Sequence, residues 1–369
     1  MQASKRNGKI EFLRFVFCIA VLLFHCGKYV IGEPECGKAY NLSLFCHGSM
    51  GVEFFFLVSG VLMAKSAYKQ NQRTDDQSLA EDSLEFLKRK YFSIFPMHVV
   101  AFVLAFVSYV ASSRMDWLQI ANCAVESIPS LFLVQMTGLG MCSPNHVTWY
   151  ISCMLIAMAI LYPLCRKYYE MFTHYIAPFG AMLLLGYCMA TTGRLTGVSE
   201  WVGITYKSVF RAVIEIALGA AAFEVVRTIS GKNYGKVTRK ILALLELFIF
   251  GCIMIYCVGT FPRQWEELEL FAMLLLVILA FSGISYGSGF FDRKIFYHLG
   301  KLSLPLYLGQ VSVINFVTGF FGKWSHGRQI LVIVVLTFVI AYVLMGADKV
   351  IRYALDQKKI SQQRGNEAL

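Results

Sequence analysis

Charge is scarce in this chain: Asp, Glu, Lys and Arg make up 15% of the 369 residues, against about 25% in soluble domains. That shortage excludes a soluble globular enzyme and a solvated, disordered chain. No CxxC or CxxH spacing is present, so a zinc site is not expected, and no other metal is implied. The chain also lacks a Walker phosphate loop and a dinucleotide GxGxxG fingerprint. It shows no internal repeat of the kind that builds a transporter from two halves. Its apolar residues do not alternate in and out, which argues against a membrane β-barrel.

What the chain has instead is apolar and aromatic surface. Hydrophobic residues reach 57%, with 30 Phe and 19 Tyr. The apolar residues fall in about ten runs, near 10–26, 48–64, 92–112, 148–165, 174–191, 208–226, 241–260, 268–288, 300–320 and 329–347. Most reach the roughly 17–25 residues that cross a bilayer as a helix. The expected fold is all-α: a polytopic integral membrane protein of about ten transmembrane helices. A glycine-rich apolar stretch at 127–140 is too short to span and reads as interfacial or re-entrant.

Lys and Arg outnumber Asp and Glu by 34 to 23, a net charge of +11. With the N-terminus placed in the cytoplasm, the segments facing inward (1–9, 65–91, 166–173, 227–240, 289–301 and the tail from 348) carry 24 Lys and Arg, and the outward ones carry 8. That asymmetry predicts cytoplasmic termini in a multi-pass protein of the cell membrane, and it accounts for the basic balance without nucleic acid. The membrane-embedded core is expected over 9–347 as one domain within 1–369, ending in a short basic cytoplasmic tail, 348–369. The first run reads as an uncleaved helix, because Arg14 interrupts it and no small-residue cleavage site follows. Eleven cysteines are present. Six read as small apolar residues within or near spans. Cys26, Cys36, Cys46, Cys123 and Cys142 fall at the outer side, where an oxidising compartment would permit a disulfide.

Ionisable groups in lipid are costly and mark candidate sites. Arg14 and His25 stand near opposite ends of the first run. Eleven residues at 100° each leave them roughly 20° apart on one helix face, separated axially by roughly 16 Å. A snorkelling charge and an interfacial imidazole are the plainer readings; the shared face favours function. Glu53 lies in the second run at a depth similar to His25, where a carboxylate can orient and charge an imidazole, or pair with another cation. Lys88-Arg89-Lys90 precedes the third run as either ordinary inward charge or an anion-binding cluster. Arg211 and Glu215, four apart on one helix face, read as a structural ion pair. Trp149-Tyr150-Ile151-Ser152 opens the fourth run at the outer surface, where an aromatic belt also explains the rings.

In this order the motifs resemble membrane-bound acyltransferase family 3, which includes the O-antigen, exopolysaccharide and nodulation-factor O-acetyltransferases of bacteria. The resemblance covers about 9–347. It rests on Leu13-Arg14 with His25, on Gly51 to Gly60 with its acid, paired Phe and Ser-Gly, and on Phe86 to Pro96. Trp149 to Ser152 with Tyr162-Pro163, and Leu299 to Ser303 with Tyr307-Leu308, complete it. Three departures from the family pattern occur: its two Arg three apart are Lys90 and Ser93 here, so one cation is kept; Cys153 stands for a Glu; and Gln310 stands for a His. The resemblance implies transfer of an acyl group, acetyl by family frequency, from cytoplasmic acyl-CoA to a hydroxyl of a cell-envelope or exported glycan. His25 would act as base or acyl carrier and Glu53 would assist it. Arg14, Arg89 and Lys90 would hold the CoA phosphates, and Trp149, Tyr150 and Ser152 would bind the acceptor or stabilise the oxyanion. The implied partners are acyl-CoA, a glycan or lipid-linked glycan, and membrane lipid. A flippase for a lipid-linked glycan is the competing class, since it too needs many spans and buried charges; a glycan polymerase or glycosyltransferase would usually need a larger acidic outer segment than 113–147. Dependence on CoA separates the acyltransferase from both.

Overall fold

The computed structural model describes residues 7–32, 45–73, 78–139, 142–262 and 265–367. Helix accounts for 83% of it. Eleven helices of ten residues or more are present among the described residues: α1 Gly8–Cys26, α2 Gly51–Asn71, α3 Leu79–Ser113, α4 Trp117–Glu126, α5 Trp149–Lys167, α6 Ala177–Thr192, α7 Lys207–Ser230, α8 Lys236–Val258, α9 Glu266–Ser282, α10 Lys294–Phe321 and α11 His326–Glu367. A two-stranded antiparallel hairpin, β1 Trp201–Val202 and β2 Thr205–Tyr206, pairs Trp201 with Tyr206 just before α7.

Each of the ten apolar runs lies within or largely overlaps one long helix. Eight of these helices, some extended by an adjoining turn, are long and apolar enough to cross a membrane. The other two are α7 and α9. Helix α7 carries Lys207, Arg211, Glu215, Glu224 and Arg227, and α9 is only 17 residues long with Glu266, Glu267 and Glu269 in its first turn. Between runs, α4 is an addition: a ten-residue amphipathic helix started by a capping box, with the Asp116 side chain accepting from Gln119 N and Gln119 returning to the Asp116 N–H. A second capping box at Ser78 and Glu81 starts α3 well before its apolar run.

Burial sorts the helices into a centre and a periphery. In α2, 78% of the apolar window is buried, whereas in α6 and α11 only 22% is. Helices α2 and α7 form the closest pair. A Cβ on Gly60 would strike the Ile216 carbonyl, and one on Gly219 would strike the Leu57 carbonyl, so both positions are glycine by contact. The polar α7 is tolerated at the centre because its charges meet inward partners. Arg211 bonds Glu215 at 2.7 Å and Glu53 of α2 at 3.2 Å.

Helices α1 and α10 pack side by side and run in the same direction. The Cys18 thiol donates to the Ser303 carbonyl at 3.1 Å, and seven residues later on both helices His25 meets Gln310 at 3.2 Å. The constant offset of 285 residues sets a common depth scale, on which Arg14 is level with Leu299 and His25 with Gln310.

Candidate active site

Arg14 and Lys90 stand together at the mouth of a cavity of about 390 Å³ between α1, α2, α3, α5 and α10. Its wall is apolar along Phe55 and Val58, with polar groups from Ser59, Ser303, Tyr150 and Tyr307. On the shared depth scale it runs from the level of Arg14 to that of Tyr307. It stops three residues along α10 from Gln310, roughly 4.5 Å of helical rise. Arg14 contacts Glu11 only loosely, at 3.5 Å, and its side chain is one-third exposed. Arg89 is elsewhere: it pairs with Glu85 at 3.4 Å on the exposed face of α3 and does not line this cavity. Lys9 is committed to Glu246 at 2.8 Å and Ser288 at 3.2 Å.

Beyond the closed end lies His25. Its Nδ1 faces Gln310 Oε1 at 3.2 Å, while Gln310 Nε2 donates to the Tyr307 carbonyl at 2.9 Å. The carbonyl only accepts, so the amide must turn its oxygen toward the imidazole. His25 Nδ1 therefore carries the hydrogen and Nε2 keeps its lone pair, the form a general base requires. A second imidazole, His146, stands edge-on to His25 with ring centroids 5.7 Å apart, and its Nε2 is 3.0 Å from the Tyr29 hydroxyl. The Tyr307 hydroxyl donates to the carbonyl of Val147, next to His146, at 2.6 Å. One tyrosine thus closes the inner cavity and braces the segment that carries the second histidine.

A second cavity, of about 170 Å³, lies beside His146, between Gln135–Met136, Cys142–Trp149 and the segment that leads into the hairpin. His146, Trp149, Gln135, Ser143 and Cys142 line it. Ser143 Oγ and Gln135 Oε1 are buried with no hydrogen-bond partner among the described residues. Unpaired polar groups in a cavity are suited to a hydroxyl-rich ligand. Nearby, Lys207 bonds Glu200 at 2.5 Å and holds its carboxyl below the usual carboxylate range.

The sequence-derived site residues divide as follows. Arg14, Lys90 and Tyr150 share the inner cavity; Trp149 lines the outer one. Ser152 is buried and accepts from Met136 N at 3.2 Å, so it shapes the outer wall without lining it. Glu53 faces Arg211, while the imidazole nitrogen it was expected to orient bonds Gln310 instead. His146 and Gln310 are the residues that sequence reasoning passed over. Gln310 was visible only as a departure from a family pattern, and His146 carried no local signal. No cluster of three metal-ligating side chains occurs among the described residues.

The bundle is that of a multi-pass membrane protein, with Arg14 and Lys90 lining a cavity that ends near the oriented His25 imidazole. The chain belongs to acyltransferase family 3: the family's model, described as an acyltransferase domain, matches residues 7–346. It is an acyltransferase, and the flippase reading is not favoured. No curated protein and no solved structure matches the chain.

Proposed function

We propose that this acyltransferase moves a short acyl group, acetyl by family frequency, from cytoplasmic acyl-CoA to a hydroxyl of a cell-envelope or exported glycan. The observation that carries this reading is a cavity lined by Arg14 and Lys90 that ends at Tyr307, three residues along α10 from the Gln310 that orients His25. The inner cavity is lined by two cations and by both polar and apolar side chains, which suits the phosphates and the pantetheine arm of CoA. The outer cavity has unpaired polar groups, which suit sugar hydroxyls.

In this scheme Arg14 and Lys90 hold the CoA phosphates, and Arg89 adds positive field from the flank. The arm lies beside α1 with its thioester at the level of Tyr307. The acceptor enters beside Trp149 and His146. His25 Nε2 takes the proton of the attacking hydroxyl, the oxygen bonds to the thioester carbon, and the carbon–sulfur bond breaks. The proton then passes from the imidazolium to the departing thiolate, which leaves the histidine neutral. Gln310 keeps Nδ1 protonated throughout, and Glu53 fixes α2 against α7 through Arg211. Tyr150, which lines the cavity, donates toward the developing oxyanion in this scheme. The ten long helices that overlap the apolar runs are read as about ten spans, and the excess of Lys and Arg at the Arg14 end supports both termini in the cytoplasm, in the cell membrane.

The test is transfer from radiolabelled acetyl-CoA in membranes containing the protein and host glycan, with wild type beside His25→Ala. Label in an alkali-labile glycan product with wild type alone supports the reading. Equal label from both removes His25 from the chemistry. Absence of both transfer and CoA binding overturns the choice of donor.

A further inference from the structure

We propose that Cys123 and Cys142 form a disulfide in the mature protein, and that this bond clamps one wall of the outer cavity. The two Sγ atoms are 3.1 Å apart, across 19 residues of chain. Cys123 is buried in α4 and Cys142 is half-buried at the cavity. Closing the bond requires a shift of about 1 Å to reach the sulfur–sulfur separation of a disulfide.

The surroundings favour oxidation. Both cysteines lie at the His25 end of the bundle. Helix α3 finishes there, with Ser112 against Gly319, nine residues past Gln310 on α10, and α4 starts immediately afterwards. Cys46, just before α2 at this same end, is already disulfide-bonded, whereas Cys36 lies outside the described residues. A disulfide on this face indicates that it meets an oxidising compartment.

The segment between the two thiols has reason to be clamped. Among its described residues it makes only single turns after α4, and Leu133 and Gly138 take left-handed backbone at φ 60° and 94°. Leu133 and Met136 anchor it in the core, Gln135 Nε2 donates to Thr148 Oγ1 at 3.0 Å, and its other tertiary bonds lie close to the two thiols or to the cavity. His98 Nε2 bonds the Ser130 and Leu131 carbonyls at 3.2 and 3.1 Å, Ser130 Oγ donates to the Cys142 carbonyl at 3.1 Å, and Met136 N donates to Ser152 Oγ. His146 follows four residues after Cys142.

The chemistry balances through thiol–disulfide exchange with an oxidised thiol–disulfide oxidoreductase. One cysteine attacks its disulfide to give a mixed disulfide, and the second cysteine resolves it. The Sγ–Sγ bond forms, the oxidant's sulfur–sulfur bond breaks, and the oxidant keeps two electrons and two protons as a dithiol. The bond itself does not depend on the proposed transfer reaction; only its bearing on acceptor binding rests on that reading.

The test reads the bond without catalysis. Protein purified from its own membranes without reductant is denatured, alkylated with N-ethylmaleimide before or after reduction, and digested for mass spectrometry. Denaturation is required because burial pushes the Cys142 thiol up to about 12, which suppresses labelling in the native state. The expected result is that Cys123 and Cys142 stay unalkylated until reduction and appear as one linked peptide pair. Alkylation of both without reduction, or linkage of either to a different cysteine, overturns the proposal. In the folded wild type, reduction should raise amide exchange across 127–139 about a hundredfold, the scale expected for opening a loop of this size. Unchanged exchange overturns the clamp.

Discussion

Replacing Gln310 by leucine removes two hydrogen bonds with little change in volume. The first, from Gln310 Nε2 to the Tyr307 carbonyl at 2.9 Å, is local to α10, and that carbonyl keeps its helical position. The second, to His25 Nδ1 at 3.2 Å, fixes the imidazole. Its loss leaves an N–H without its acceptor and frees the ring to take the other tautomer. A neutral hydrogen bond contributes about 1 kcal/mol, and an orphaned buried donor costs about 1–3 kcal/mol. His25 is only half-buried, so water moderates the loss and the low end applies. About 1.4 kcal/mol in the transition state is tenfold in rate. Gln310→Leu should therefore lower kcat about tenfold. KM for acyl-CoA should stay unchanged, because Arg14, Lys90 and the inner wall are untouched. Initial rates with varied acyl-CoA at saturating acceptor measure both quantities. An unchanged kcat, or a rise in KM alone, would refute the claim that Gln310 sets the form of His25.

Other outcomes follow from contacts elsewhere. Arg14→Ala and Lys90→Ala should each raise KM for acyl-CoA roughly ten- to a hundredfold, by loss of one charge-assisted contact, while Arg89→Ala, paired outward with Glu85, should change it little; equal effects from all three would move the phosphates off the cavity mouth. Arg211→Leu strands Glu53 and Glu215 in the core, so it should destabilise the fold by about 3–5 kcal/mol, read as a lower thermal midpoint in detergent; an unaltered midpoint would show that the carboxylates are satisfied otherwise. Glu200 is held below the usual carboxylate range by Lys207. Its contribution to the hairpin is thus present above the ordinary carboxylate range and lost as pH falls through its lowered value. Amide exchange in 194–206 should rise on acidification below about pH 4, and Lys207→Met should flatten that response.

Helix positions were legible because spanning a bilayer demands an apolar run of a given length. The Arg14–His25 face was legible because α1 keeps helical periodicity from Gly8 through Cys26. Ser78-x-x-Glu81 announces the early start of α3, yet a reading confined to apolar runs begins that helix at 92 instead of Leu79. Helix α4 escaped for the same reason, being short and amphipathic. Which buried charges meet was not legible. Glu53 had a histidine as its expected neighbour, and the close α2–α7 crossing at Gly60 and Gly219 delivers Arg211 instead. The pairing of His25 with Gln310 depends on two parallel helices 285 positions apart in the chain, and no local pattern encodes it.

The central claim is that donor and acceptor reach His25 from opposite faces of the membrane. Sealed vesicles of uniform orientation test it, with membrane-impermeant radiolabelled acyl-CoA supplied to one face and glycan acceptor confined to the other. The account predicts labelled glycan when acyl-CoA is on the Arg14 and Lys90 face and the acceptor is on the His146 face, and none with the two exchanged. Transfer only when both substrates share one face would contradict it.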